Sequence, residues 1–194
     1  MAVLGPDDSP VRHDPKWKSC CAELGIEFPT YSNAQKVSFL FAGIGGPDRA
    51  IMEGDWPVEP VNIVEKRPDA CAVLRRLPGH VVWPTTIEEC PPQTLDSSDG
   101  CIGTAPCITF SKAGNGENFF AYSGSLFIRQ LEAIKELAQR KDRPLKWVLL
   151  ENVWHIMSVN STTKKRPWDF VTEWWRNNMP GWSCLMPWKV NAEE

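Results

Sequence analysis

The chain of 194 residues is 42% hydrophobic and 23% charged, a balance that is typical of a single globular domain and excludes an intrinsically disordered chain. Its formal net charge of −3 excludes a protein that grips nucleic acid through overall positive charge. The sequence has neither an apolar run near the roughly 20 residues of a membrane span nor a basic N-terminus followed by an apolar segment. We therefore expect an intracellular protein, in the nucleus or the cytoplasm, that is not secreted and has no membrane partner.

The seven cysteines are odd in number and show no C-x-x-C spacing. This pattern fits neither a zinc site nor a framework of disulfides, and it favours a reducing compartment. We predict no metal site.

A strand followed by a glycine turn opens the predicted domain. Residues 1–36 are rich in turn formers and predict a loosely ordered leader before a domain over 37–194. Val37–Ala42 is a continuous apolar run, as in a parallel strand that is buried on both faces. Glycines follow over 43–46, and Pro47 suits the first turn of a helix. This order predicts a site where the backbone approaches a ligand.

The second predicted strand, Val61–Val64, ends at Glu65, about twenty residues after the glycine turn. An acidic side chain here can accept hydrogen bonds from both ribose hydroxyls of an adenosine-containing cofactor. A plain tight turn is the alternative for the glycines alone, and Glu65 makes us favour nucleotide-type binding. A helix is predicted over Pro68–Leu77, with Cys71 on its apolar face and therefore in the core.

A cysteine stands in a polar, glycine-rich loop after the fourth predicted strand. Short strands are predicted at Val81–Trp83 and Asp99–Ile102, and the loop over 103–114 places Cys107 directly after Pro106. A loop thiol near backbone N–H groups can become a nucleophilic thiolate. A loop cysteine without function is the alternative, and this pair of residues alone does not decide between them.

The clearest amphipathic pattern predicts a helix over Ser125–Arg140, with Glu136 and Arg140 paired on its polar face. Lys146–Leu150 predicts a fifth strand that ends in Glu151. This residue is either a ligand-facing carboxylate or a generic cap of the following turn.

The last part of the chain predicts a helix over Trp168–Asn178 and the start of a sixth strand over Leu185–Val190. We interpret Trp174 and Trp175 as packing and surface residues rather than a base-stacking platform. The compact basic run Lys164–Arg166 has two open interpretations, a solvated loop or a phosphate contact or nuclear signal.

Strands that alternate with helices predict an α/β fold with a mostly parallel sheet and helices on both faces. The glycine turn, Glu65, Cys107 and Glu151 all follow the carboxyl ends of predicted strands. We therefore expect one edge of the sheet to carry them all.

Four stretches in this order resemble the cytosine-5 DNA methyltransferases. They are Phe41-Ala42-Gly43-Ile44-Gly45-Gly46, Glu65, Pro106-Cys107-Ile108-Thr109-Phe110-Ser111-Lys112-Ala113-Gly114 and Glu151-Asn152-Val153. The combination of P-C-x-x-F-S-x-A-G with E-N-V is highly specific, whereas the glycine turn alone is not. Ser123–Phe127 also resembles the family's segment between those two motifs, and the resemblance spans about Val37–Ala192.

The resemblance implies a Rossmann-like S-adenosylmethionine-dependent methyltransferase fold and methyl transfer to C5 of cytosine in duplex DNA. It implies that Cys107 attacks C6, that Glu151, held protonated in a dry pocket, assists at N3, and that the base leaves the duplex stack. It also implies an S-adenosylmethionine site with Phe41 beside the adenine or sulfonium, Glu65 on the ribose, and the backbone of Gly43, Gly45 and Gly46 at the methionine end. Ile44 is a further cofactor-binding residue, and the remaining wall is lined by Ile87, Pro106 and Leu126.

Three departures from the family pattern qualify these implications. Phe39 and Thr86 stand where many members have acidic residues that anchor the cofactor's amino end and its adenine. Asn191–Glu194 resembles the approach to a Q-x-R-x-R strand, so by resemblance the fold is incomplete at its C-terminus and lacks the target-recognition region. We expect a separate C-terminal half or partner to supply target recognition, which accounts for the acidic charge. A catalytically inactive cofactor-binding scaffold and an RNA cytosine-5 methyltransferase stay open as alternatives.

Overall fold

The computed structural model describes residues 34–53, 57–76, 81–108, 110, 122–160 and 164–184. Strands β1 to β5 span Gln35–Leu40, Val58–Val64, Val82–Trp83, Gly100–Gly103 and Trp147–Leu150. Helices α1 to α4 span Gly46–Glu53, Pro68–Leu74, Tyr122–Ala138 and Pro167–Asn178, and short 3-10 helices lie at Pro92–Thr94 and Trp154–Met157. This alternation of strands and helices confirms the predicted α/β class.

The chain divides into two compact units. The sheet unit comprises described residues within Met1–Thr104 and Glu132–Glu151, and the loop unit comprises those within Ala105–Leu131 and Asn152–Glu194. Neither of these units contains, in its described residues, a helix long and apolar enough to cross a membrane.

The sheet unit is built on five parallel strands in the order β3-β2-β1-β4-β5. Because every pairing is parallel, the carboxyl ends of all five strands lie at one edge. The chain runs from β1 to β2 on one side and later reaches β4 on the other side of β1, which makes a topological switch point between β1 and β4. Ligands of open α/β sheets bind at such a point.

The core of the sheet unit comes from the apolar runs that predicted the strands. The last four residues of both β1 and β2 are buried, because their backbone lies in the centre of the sheet. One cluster of buried side chains joins four strands to α1 and α2; its members are Val37, Phe39, Ala42, Ile51, Ile63, Cys71, Leu74, Val82 and Ile102. The position of Cys71 in this cluster confirms its predicted core role.

The predicted bounds of the first strand are wrong by two residues at each end. It begins at Gln35 because the backbone ladder pairs Gln35 with Val58, which no apolar pattern reveals. It ends at Leu40 because Phe41 adopts a left-handed conformation with φ of 61°. The helix predicted to reach Leu77 ends at Leu74, so α2 is shorter than its apolar pattern.

The predicted ion pair between Glu136 and Arg140 is wrong. Helix α3 ends at Ala138, so Arg140 leaves the helical face and its guanidinium pairs with Asp142, with 3.2 Å between Nε and Oδ1. The Glu136 carboxylate instead accepts a hydrogen bond from the amide of Gln93.

The packing role predicted for Trp175 is confirmed in the loop unit. Its side chain is buried and meets Trp182 edge-to-face at 6.0 Å, while the partly exposed Trp174 lies tilted beside it at 6.4 Å. The sixth strand expected over Leu185–Val190 and residues 1–33 of the expected leader lie outside the described residues.

Candidate functional site

The glycine turn between β1 and α1 is held in a conformation that requires glycine. Gly43 and Gly45 have φ of 59° and 85°, a region that residues with a Cβ rarely adopt. Phe41 adopts the same region without being glycine, and its carbonyl accepts a 2.7 Å hydrogen bond from the Thr104 hydroxyl. A Cβ added at Gly43 or Gly46 would meet no atom within 4 Å, so open space lies in front of this backbone. Strain held by neighbouring contacts and open space beside it are typical of a ligand-binding turn.

The acidic side chain after β2 is tied to this turn. Glu65 is 8% exposed, and its Oε2 accepts a 2.8 Å hydrogen bond from the Gly43 amide while Oε1 accepts one of the same length from the Arg67 amide. Each carboxylate oxygen keeps a second acceptor site. The structure therefore brings together two of the predicted cofactor residues and fixes the carboxylate in place, with capacity left for hydroxyl donors.

The other predicted residues of the sheet unit are placed less directly. Ile44 is 66% exposed at the tip of the glycine turn, and Ile87 is buried in the turn after β3. Thr86 uses its hydroxyl to accept a 3.2 Å hydrogen bond from the Glu89 amide, so it caps that turn. Phe39 packs in the core and brings no charge to the glycine turn.

The loop that carries the candidate nucleophile belongs to the loop unit. Cys107 and Pro106 are partly exposed. A 2.9 Å hydrogen bond from the Phe110 amide to the Cys107 carbonyl closes a turn that begins at Cys107. Phe110 is buried and meets Phe127 edge-to-face at 5.9 Å, which anchors the turn to α3. Leu126 is buried on the same helix.

The structure distinguishes this thiol from the three buried cysteines among the described residues. Cys101 lies inside β4, where burial raises its pKa to about 12, and burial also raises the pKa values of the Cys71 and Cys90 thiols. Desolvated thiols of this kind are inert. Cys107 is partly exposed and Cys184 is exposed. The accessibility of Cys107 therefore suits the nucleophile that the sequence predicts.

Asn152 is a positioning residue that sequence reasoning missed. Its side-chain amide donates a 3.0 Å hydrogen bond to the Ala105 carbonyl, and its side-chain oxygen accepts one of 3.0 Å from the Val153 amide. The bond to Ala105 joins the segment after β5 to the loop two residues before Cys107. The motif Glu151-Asn152-Val153 gave a signal for this residue, but its spacing gave no partner.

Glu151 is placed at the end of β5 in the sheet unit. Its amide donates a 3.0 Å hydrogen bond to the Gly103 carbonyl, which extends the pairing of β4 and β5 by one step. The side chain is exposed. This exposure does not match the dry pocket that the resemblance implies for Glu151.

No group of three or more His, Cys, Asp and Glu side chains in the described part of the chain is arranged to hold a metal ion. The glycine turn follows the carboxyl end of β1, and Glu65 follows that of β2. The Cys107 loop follows β4, and Glu151 follows β5. Within the sheet unit the structure brings Gly43 and Glu65 into contact, and within the loop unit it ties the Cys107 loop to Asn152.

Comparison with known proteins gives a family and a fold. A family model described as C-5 cytosine-specific DNA methylase matches residues 36–168. The crystal structure of a mutant of Spodoptera frugiperda DNMT2 is 18% identical and aligns with a TM-score of 0.53 over 74% of this chain and 41% of that chain. The crystal structure of S. pombe Dnmt2 methyltransferase is 16% identical, with a TM-score of 0.52 over 75% of this chain and 41% of that chain. At such identity the likeness shows the fold, and the present chain spans well under half the length of either protein. Among curated proteins, none matches the sequence.

Proposed function

Since the chain belongs to the C-5 cytosine-specific DNA methylase family, we propose that it transfers a methyl group from S-adenosylmethionine to C5 of cytosine in DNA. Its sheet, whose fold is that of the DNMT2 methyltransferases, supports this proposal. DNA is proposed rather than RNA because the matching family model is described as a DNA methylase.

The residues around the glycine turn fit S-adenosylmethionine. Open space in front of Gly43 and Gly46 leaves room for a ligand against the backbone, and the buried Glu65 carboxylate has acceptor capacity for ribose hydroxyls. We assign Phe41, Ile44, Gly45, Ile87, Pro106 and Leu126 to the remaining contacts, as the family resemblance implies. When bound, the cofactor supplies an electrophilic methyl group.

Cytosine C5 is a weak nucleophile, so the proposed reaction begins with the thiolate of Cys107. A bond forms between Sγ and C6 of the base, and the electrons of the C5–C6 double bond become available at C5. Glu151 holds a proton at N3, where negative charge develops. After methyl transfer, C5 loses its proton to water or another base, the electrons of the C5–H bond restore the C5–C6 double bond, and Sγ leaves C6 as the thiolate of Cys107. The target base leaves the helical stack to reach these groups.

The observation that carries this proposal is the pair of hydrogen bonds that flank the two reactive residues. The Glu151 amide binds the Gly103 carbonyl in the sheet unit, and the Asn152 side chain binds the Ala105 carbonyl in the loop unit. The E-N-V motif is thus joined at two successive positions to the segment that leads into Cys107. Within the loop unit, the bond from Asn152 fixes the backbone two residues before Cys107.

The direct test is transfer of tritiated methyl groups to cytosine-containing duplex DNA. We expect transfer by the wild-type chain, alone or with a separately supplied C-terminal half that provides target recognition, and none by Cys107→Ala. Cofactor binding without transfer in either case would instead support an inactive scaffold. Transfer to tRNA and not to DNA would support the RNA-directed alternative.

A further inference from the structure

The run Lys164–Arg166 forms an exposed turn in the loop unit, directly before α4. We name it the basic turn. All three of its side chains are exposed. In a chain with a net charge of −3, three consecutive basic residues stand here, and the Asp169 carboxylate pairs with one of them, Arg166.

The backbone of the basic turn is held from both sides. On one side, the Asn160 amide donates a 2.9 Å hydrogen bond to the Lys165 carbonyl, and the Lys164 amide donates one of the same length to the Asn160 carbonyl. On the other side, the Asp169 carboxylate accepts a 3.0 Å hydrogen bond from the Arg166 amide and pairs with its guanidinium at 2.8 Å. A partner would therefore meet a turn whose backbone is already ordered, which reduces the entropy lost on binding.

Lys164 occupies this turn in a conformation that disfavours lysine. Its φ is 56°, in the left-handed region where glycine and asparagine are common and other residues are not. Within the described ranges, no ion pair or hydrogen bond involves its ammonium group. Its charge is therefore not used to hold the turn and is available to a partner outside the chain.

We propose that the basic turn contacts the phosphate backbone of the nucleic-acid substrate, and this inference rests on the proposed function. Lysine ammonium groups bind phosphate as point charges and carry no sequence information. The turn therefore contributes affinity and salt dependence, while sequence choice lies elsewhere. A solvated loop without a partner is the alternative, and it predicts no change in nucleic-acid binding when the two lysines are replaced.

The test compares nucleic-acid binding by variants that remove the same amount of charge. Lys164→Gly with Lys165→Ala removes two cations while supplying a residue that tolerates the φ of position 164. Arg76→Ala with Lys141→Ala removes two exposed cations from the sheet unit and is the matched control. Lys164→Arg keeps the charge. Binding of labelled cytosine-containing duplex DNA and of a tRNA transcript is measured by anisotropy over a range of salt concentrations, and thermal melting checks the fold.

For the Lys164 and Lys165 variant we expect about tenfold weaker binding at low salt and a salt slope that is lower in magnitude by about 1 to 2. The control pair and Lys164→Arg should keep the wild-type slope. An unchanged slope in the first variant, or an equal loss in the control pair, would overturn the proposal and leave the proposed function standing. Binding of the same variants to vesicles of phosphatidylcholine and phosphatidylserine is measured as well. If the Lys164 and Lys165 variant loses vesicle binding but keeps nucleic-acid binding, the turn contacts a membrane surface and the proposal is overturned. A wild-type chain that binds neither nucleic acid, alone or with a supplied C-terminal half, would overturn both proposals.

Discussion

At the scale of single residues, the sheet unit ties the acidic side chain after β2 to the glycine turn after β1. The Glu65 carboxylate bridges the amides of Gly43 and Arg67, so it orders the turn before any ligand arrives. Its burial at 8% exposure means that a cofactor would meet a fixed acceptor rather than a mobile side chain. One residue thus serves both the local fold and the proposed cofactor site.

Glu65→Gln should weaken binding of S-adenosylmethionine by about 1 to 3 kcal/mol, the scale of a hydrogen bond to a charged group. The amide keeps the shape of the carboxylate but turns an N–H group towards one of the backbone N–H donors. Isothermal titration calorimetry measures the affinity. The matched control is Glu59→Gln, an exposed position on β2, the strand that leads into Glu65. Equal affinities for the two variants would remove Glu65 from the cofactor site.

The cysteines should separate into two groups when native protein is alkylated with iodoacetamide. Cys107 and Cys184 should react because their side chains are accessible, whereas the buried Cys71, Cys90 and Cys101 should react only after unfolding. Peptide mass spectrometry gives the extent of labelling at each site. Protection of Cys107 as complete as that of Cys101 would mean that its sulfur is core.

At the scale of elements, the sequence predicted what depends on local pattern and missed what depends on distant contacts. The apolar run Val37–Leu40 reveals β1 because a central parallel strand buries both faces. The left-handed Phe41 that ends this strand has no local signal. The bond between Asn152 and Ala105 joins residues that are 47 positions apart, so motif spacing could not supply it. The residue types of the candidate site were therefore predictable, whereas their hydrogen-bond partners were not.

Glycine at position 100 is required by the packing of β4 against β5. A Cβ there would lie 2.2 Å from the Trp147 ring, whose indole nitrogen donates a 2.7 Å hydrogen bond to Gln35. Gly100→Ala should therefore lower the free energy of unfolding by about 1 to 3 kcal/mol, as overpacking does. Urea denaturation measures the change.

Gly46→Ala is the control for this substitution, because a Cβ at that position meets nothing within 4 Å. It should leave the free energy of unfolding almost unchanged. If both variants lose the same stability, the indole does not lie across Gly100.

At the scale of the whole molecule, the buried carboxylate of Asp99, which precedes β4, connects the beginnings of β1 and β5 in the sheet unit. Asp99 is 5% exposed and accepts a 3.0 Å hydrogen bond from the Lys36 amide. It also pairs with Lys146 at 2.8 Å and with Arg143 at 3.1 Å. The ion pair with Lys146, followed by the Lys36 amide and Arg143, holds the pKa of Asp99 below its ordinary value. The edge of the sheet opposite to the candidate site is thus held by charge.

The depressed pKa of Asp99 gives a sign to the dependence of stability on pH. The unfolded carboxyl binds its proton near pH 4 and the folded one at lower pH, so the stabilisation is complete above about pH 4 and is lost as pH falls through the folded pKa. Asp99→Asn should lower the free energy of unfolding at pH 7 by about 1 to 3 kcal/mol and flatten its dependence on acid. Urea denaturation at several pH values between about 3 and 7, which covers the titration of carboxyl groups, measures the free energy of unfolding and its dependence on pH.

Asp142→Asn is the comparison, because its carboxylate is 58% exposed and pairs with Arg140 at the surface. It should cost less stability at pH 7, since exposed pairs are screened by solvent. A larger loss at Asp142 than at Asp99 would contradict the assignment of Asp99 as the structural carboxylate.

The proposed methyl transfer depends above all on a covalent bond between Cys107 and cytosine. The most direct measurement is trapping on duplex DNA that contains 5-fluorocytosine, with S-adenosylmethionine present and with or without a supplied C-terminal half, followed by mass spectrometry of the adduct. The fluorine at C5 cannot leave as the proton does, so the bond to sulfur persists. We predict an adduct that maps to Cys107, persists in Cys184→Ser and disappears in Cys107→Ser, whose cofactor affinity stays within a few-fold of wild type. A chain that binds S-adenosylmethionine but forms no adduct at Cys107 with DNA would contradict the account.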